Sequence, residues 1–277
     1  FHANLAHPRF YDFSDKVTLF INDGQPESTW YDVTQDIGIR YLETPSNPNL
    51  FDFDNDGDDD LYVLNGANEY FNYFSARSEE GDSFDWNMEP NVFYVNEGGA
   101  LRNRSKESGA DFGGNSRSAV FVDADLDGDL DLFVGARFVP ARYPTPPESL
   151  LLENDGNGHF TMTPLAAGLV TGAAWADIDD DQRPDLALST EWGPIRVFRN
   201  TTGGFVEHTG KASLGKYTGW WTCLAAADID GDGDSDLLAG NFGLNTKYHV
   251  DETHPATLFA ADFGNKGELQ LVEAQHK

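Results

Sequence analysis

Four nine-residue segments carry the side chains best placed for chemistry. They read Asp52-Phe-Asp54-Asn-Asp56-Gly57-Asp58-Asp-Asp60, Asp123-Ala-Asp125-Leu-Asp127-Gly128-Asp129-Leu-Asp131, Asp177-Ile-Asp179-Asp-Asp181-Gln182-Arg183-Pro-Asp185 and Asp228-Ile-Asp230-Gly-Asp232-Gly233-Asp234-Ser-Asp236. The shared frame is aspartate at positions 1, 3, 5 and 9. Crowding carboxylates this tightly costs free energy through repulsion and desolvation unless a cation sits among them. Calcium fits, because it takes about 6–8 oxygens at about 2.3–2.6 Å and alternate residues of a tight loop can aim oxygens at one centre. Position 7 adds a backbone carbonyl, from Asp58, Asp129, Arg183 and Asp234. Glycine at position 6 of loops one, two and four permits a sharp turn at positive φ. Loop three has Gln182 there, so it is expected to be the weakest of about four Ca2+ sites.

The elements that must position these loops are strands. An EF-hand needs a bidentate glutamate at position 12, where this chain has Val63, Val134, Leu188 and Ala239. The flanks are short runs rich in β-branched and aromatic residues, such as 119–122 and 130–134, which read as the two arms of a β-hairpin. A second pattern recurs after each of the first three loops: Phe93-Tyr-Val-Asn96, Leu151-Leu-Glu-Asn154 and Val197-Phe-Arg-Asn200, each followed by a glycine-containing turn and another short strand. Each unit therefore contains four antiparallel strands, the make-up of a propeller blade.

The expected fold is all-β, a single β-propeller domain over 1–277. It has an outer half-blade at 17–46 and blades at 47–110, 118–167, 172–209 and 222–272. The segment 262–268 resembles a fifth loop, but Lys266 stands where a ligand is needed and its spacing places it at an outer turn of blade four. With half a blade at one end and an outer strand at the other, the expectation is a partial ring of a larger propeller. Further blades or domains of the same precursor would complete it.

Composition narrows the partners. The 277 residues carry a net charge of −29, and the four loops hold close to half of the 47 acidic residues. That field repels phosphate backbones and anionic lipid, which excludes nucleic acid and membrane insertion as expected roles. No apolar run approaches the roughly 18 residues a membrane helix needs. Cys223 is the single cysteine, so metal rather than disulfide is the expected staple. Reliance on calcium points to an extracellular or cell-surface setting, since that ion is abundant outside cells and scarce in cytosol.

The loops resemble the FG-GAP/VCBS repeat family, whose blades carry an Asp-x-Asp-x-Asp-Gly-x-x-Asp loop and which includes the integrin α-subunit head. The likeness runs over roughly 17–272. The stretch Gly219-Trp220-Trp221, with Ala226-Ala-Asp228 and Gly240-Asn241-Phe-Gly-Leu-Asn245, is similar to large bacterial cell-surface members. The resemblance implies a calcium-binding propeller whose ligands are the aspartates at frame positions 1, 3, 5 and 9. It departs from the family at Gln182 and in the irregular insert at 66–90.

No nucleophile elbow, phosphate loop or zinc-helix motif is present. If the metal loops join the first and second strands at one face, the loops leaving the second strands emerge on the opposite face. That face would carry Tyr73, Trp86, Arg137, Arg142, Tyr143, Glu191, Trp192, Trp220, Trp221, Asn245 and Lys247. Aromatic and arginine residues on a concave rim suit protein or glycan recognition. The expected function is a non-catalytic recognition or adhesion module for a protein or glycan. The alternative is a polysaccharide-active enzyme, a lyase or glycoside-active, on the same calcium propeller.

Overall fold

Short runs of β-branched and aromatic residues, punctuated by Asp- and Gly-rich turns, fold as antiparallel sheets with almost no helix. The computed structural model describes residues 18–27, 29–39, 45–65, 90–139, 142–243, 246–248, 250–251, 253–265 and 269–275. The chain divides into two compact units, 1–136 with 148–166, and 137–147 with 167–277.

In the first unit a hairpin of β1 (Phe20–Asn22) and β2 (Trp30–Asp32) precedes two four-stranded sheets. The first sheet runs β3 (Pro45–Phe51), β4 (Asp60–Asn65), β5 (Val92–Asn96), β6 (Leu101–Asn103). The second runs β7 (Ser116–Val122), β8 (Asp131–Ala136), β9 (Ser149–Asn154), β10 (Phe160–Leu165). Strands β4 and β8 are buried along their whole length, which is why Leu61-Tyr-Val-Leu64 and Leu132-Phe-Val134 are continuous apolar runs rather than alternating ones. One core gathers Tyr62, Leu64, Phe93, Leu132, Val134 and Leu152 from both sheets. Phe51 of β3 stacks on Phe121 of β7 across it, ring centroids 3.6 Å apart. Each such side chain removed from water contributes roughly 1.5–3 kcal/mol. Two polar side chains buried there are bonded to each other and to their surroundings: Tyr62 Oη donates to the Ala110 carbonyl, and Asn91 Nδ2 donates to Tyr62 Oη and Ser116 Oγ.

A single helical turn, α1 (Ser105–Ser108), links the sheets and ends on Gly109 at φ 73°, where an added Cβ would stand 3.2 Å from the Phe160 carbonyl oxygen.

The second unit holds β11 (Val170–Ala176), β12 (Asp185–Pro194), β13 (Arg196–Thr201) and β14 (Gly204–Glu207). The ten-residue β12 outruns its sheet. Its first half pairs with β11 and β13, and past a bulge at Trp192 its end pairs with β15 (Thr218–Ala227). Strand β15 then pairs with β16 (Asp236–Asn241), while β17 (Thr257–Ala261) and β18 (Gln270–Ala274) form a hairpin of their own. No pairing of β16 with β17 is present among the described residues. Among those residues too, no helix is long and apolar enough to cross a membrane.

Candidate functional site

Each Asp-rich segment is the turn of an antiparallel hairpin: β3–β4, β7–β8, β11–β12 and β15–β16. All four turns are shaped by the same hydrogen bonds, made by carboxylates to the loop's own backbone. The position-1 carboxylate accepts the position-6 amide in every loop: Gly57 on Asp52, Gly128 on Asp123, Gln182 on Asp177, Gly233 on Asp228. The position-5 carboxylate accepts the position-7 amide, as Asp58 on Asp56, Asp129 on Asp127, Arg183 on Asp181 and Asp234 on Asp232. Those bonds tie the loop closed and draw its carboxylates inward.

Three carboxylates in each loop bring one oxygen apiece within 4.8 Å of one another: Asp52, Asp54, Asp60; Asp123, Asp125, Asp127; Asp177, Asp179, Asp185; Asp228, Asp230, Asp236. Sets of hard oxygen donors on one centre fit a divalent cation of the calcium type. The electrostatics agree. Burial pushes Asp60 and Asp131 up to about 6, and burial likewise raises Asp54, Asp125 and Asp185. The charge of Asp232 raises Asp234. Carboxylates that resist ionising together are the ones a cation would relieve.

The position-9 aspartate does a second job. Asp60 Oδ2 accepts the Phe53 amide and its Oδ1 accepts the Asn96 amide, both at 2.7 Å. Asp131 does the same with Ala124 and Asn154, and Asp185 with Ile178 and Asn200. The asparagine that closes each third strand returns the bond, donating its Nδ2 to the position-8 carbonyl of Asp59, Leu130 or Pro184. The recurring Asn96, Asn154 and Asn200 are therefore clamps on the Asp-rich loops. Their recurrence was visible in the sequence, but their role was not.

Loop three keeps the turn despite its missing glycine. Position 6 is left-handed throughout, at φ 92° for Gly57, 101° for Gly128, 99° for Gly233 and also 66° for Gln182. Missing glycine strains the turn without abolishing it. Position 4 is left-handed too, at Asn55, Leu126, Asp180 and Gly231, a requirement that no glycine pattern announced. What distinguishes loop three is Arg199 on β13, whose guanidinium pairs with Asp179 and lies 3.9 Å from Asp181 Oδ2. Val95 and Glu153 hold the same place, just before the clamping asparagine, in the sheets of loops one and two. Asp179 Oδ1 is buried there without a hydrogen-bond partner.

The second group of candidates is only partly assembled. In the second unit Arg137 Nε donates to Glu191 Oε1 at 2.6 Å, and Tyr143 Oη donates to Glu191 Oε2 at 2.9 Å. Trp192 Nε1 donates in turn to Tyr143 Oη at 2.5 Å. Burial, ahead of the Glu191 charge, pushes the Tyr143 phenol far above its usual range. Trp192 sits at φ 57°, a left-handed conformation unusual for a bulky residue, and its ring lies 5.5 Å from that of Trp220, which lies 5.1 Å from Phe242. Glu191, expected on a binding rim, has its side chain only 2 % exposed and its carboxylate committed to Arg137 and Tyr143. It anchors the cluster from within.

Arg142 is exposed, Trp221 Nε1 donates to the Tyr217 carbonyl, and Lys247 pairs with Glu273. Tyr73, Trp86 and Asn245 lie outside the described residues. Sequence reading missed Arg196 and Glu207, a bidentate pair at 3.0 and 2.8 Å that borders the same cluster.

Two successive loops, their hairpins and the strands between them form one continuous stretch. Residues 177–239 match the FG-GAP-like repeat family. The match begins at the first aspartate of loop three and ends in β16, just past loop four. The FG-GAP-like stretch thus contains both loops of the second unit and the bulge that carries Trp192. Among curated proteins, none matches the chain.

Proposed function

We propose that this chain is an extracellular, calcium-stabilised β-propeller module that recognises a protein or a glycan without transforming it. The observation that carries the reading is the fourfold hairpin loop with converging carboxylates, of which two copies lie inside the FG-GAP-like match. In this reading the aspartates at positions 1, 3, 5 and 9, with the position-7 carbonyls, hold Ca2+. The ions offset the repulsion stored in a chain of net charge −29. Recognition then falls to the side remote from the loops. There β12 delivers Glu191 and Trp192, and the 137–147 segment delivers Arg137 and Tyr143, onto one bonded cluster.

A thermal melt in excess calcium and again in chelator tests the staple. Ions that bind only the folded chain raise stability by about 2.7 kcal/mol per site at a hundredfold excess over Kd. The midpoint should fall by on the order of 10 °C or more on chelation. An unchanged midpoint would remove calcium from the reading.

A further inference from the structure

One cavity of the second unit is lined by side chains that the metal loops do not use. It has a volume of about 480 Å³, within the size of small-ligand clefts. Its walls are Trp192, three prolines (Pro144, Pro146, Pro194) and two leucines (Leu169, Leu258), and Arg196 with Glu207 closes one edge.

Three properties of this cleft select its ligand. The first is a fixed aromatic plate. The Trp192 indole is held by its Nε1 bond to Tyr143 and by Trp220 beside it, so stacking a ligand on it costs little ordering entropy. The second is local neutrality. Both carboxylates at the cleft carry a guanidinium partner, Glu191 with Arg137 and Glu207 with Arg196, so neither a cation nor an anion finds an uncompensated charge. The net charge of −29 further disfavours anions. The third is a planar donor–acceptor edge. Arg196 lies in parallel with Glu207, its guanidinium over the Phe198 ring at 4.8 Å, while Thr209 also holds Glu207 Oε1. Such a pair presents acceptor and donor side by side, at the separation of two neighbouring hydroxyls. An uncharged ligand with one apolar flat face and a rim of adjacent hydroxyls is a pyranose.

We infer that this cleft binds a neutral hexose- or pentose-containing saccharide, with a sugar ring stacked on Trp192 and its vicinal hydroxyls bonded to Glu207 and Arg196. The inference rests on the recognition reading and names the ligand class for it.

The test is calorimetric and tryptophan-fluorescence titration of the calcium-loaded chain with neutral tetrasaccharides of glucose, xylose, mannose and galactose. A uronate tetrasaccharide and a proline-rich peptide serve as competing probes. At least one neutral saccharide should bind with Kd on the order of 0.1 mM, shift the indole emission, and lose tenfold or more in affinity in Glu207→Gln, about 1.4 kcal/mol. Glu207 is half exposed, so that variant should keep the wild-type melting midpoint. Arg196→Lys, which keeps the charge but loses the fork, should weaken binding as well. The inference is overturned by an absence of neutral-saccharide binding, by preference for the uronate, or by affinity unchanged in Glu207→Gln. Binding of the peptide alone would overturn the saccharide assignment while leaving recognition standing. Loss of calcium dependence in the melt would strike the broader reading and not this one.

Discussion

Loops two and three fold alike and differ in the charge that stands beside them. Both bend through left-handed residues at positions 4 and 6, and both close on a position-9 aspartate that is buried and doubly bonded to backbone amides. Glu153 stands before the clamping asparagine of loop two, whereas Arg199 stands at that place in loop three and reaches back to Asp179. The turn is thus specified by carboxylate-to-amide bonds, and the positive charge that offsets its acidity is a separate choice. An ion can supply it, or a side chain can supply part of it.

The comparison breaks most sharply at the shared bracket. Asp131→Ala strands the Ala124 and Asn154 amides inside the protein, and each unsatisfied donor costs about 1–3 kcal/mol. A loss of about 2–4 kcal/mol in urea melts is expected. Most of it should persist in chelator, because the bracket holds backbone as well as metal. If the loss vanished in chelator, the carboxylate would serve the ion alone.

Arg199→Leu sharpens the contrast from the other side. With the guanidinium gone, calorimetric titration should show loop three binding calcium more tightly, raising the number of tight sites by one. An unchanged stoichiometry would mean that the arginine and the ion do not compete.

A smaller effect follows from pH. Asp60 and Asp131 have folded-state values near 6, above the ordinary 3.8 of an unfolded aspartate, so the native chain holds these protons more tightly. Their contribution to stability in chelator is full below about pH 4 and lost as pH rises through about 6. In saturating calcium that loss should be offset, because the ion takes the proton's place. Denaturant melts at pH 4.5 and pH 7, with and without calcium, read the difference directly.

The smallest change expected is at position 6. Gln182→Gly relieves a left-handed glutamine at φ 66° and should stabilise the chain by about 0.5 kcal/mol, the steric gain being partly cancelled by glycine's entropy. It should leave the calcium stoichiometry alone, which separates backbone strain from the Arg199 charge.

These contrasts mark how much the sequence carried. Period and composition revealed the Asp frame, the hairpin strands around it and the recurring strand–asparagine element, because all three are written in consecutive residues. The sequence placed loop three last for lack of a glycine. The structure keeps that loop's turn and finds its distinction in Arg199, which depends on how β13 registers against β12. The left-handed place at position 4 was not read from the sequence: Asn55 and Asp180 are residue types that tolerate it, but Leu126 at the same place gives no signal. Trp192 was legible as an aromatic near a loop, but its bulge and its bond to Tyr143 join residues 49 positions apart. Glu191 read as a rim residue because it follows the second strand of its hairpin, where the loops opposite the Asp turns were expected to emerge. Burial with Arg137 reversed that.

The bonds that give each loop its shape span at most seven residues, as in Asp127 to Asp123, Asp129 to Asp127 and Ala124 to Asp131. The bracket reaches outward, over 36, 23 and 15 residues in the first three loops, and Asn55 of loop one also donates to Gly128 and Asp129 of loop two. The turn itself is thus a portable piece of grammar, shaped within a single hairpin, and the asparagine clamp is the punctuation that joins it to a sheet. Such a piece can be copied along a chain with little rewriting of its surroundings, and one copy can take an arginine beside its carboxylates, as loop three does, while the sentence around it still parses.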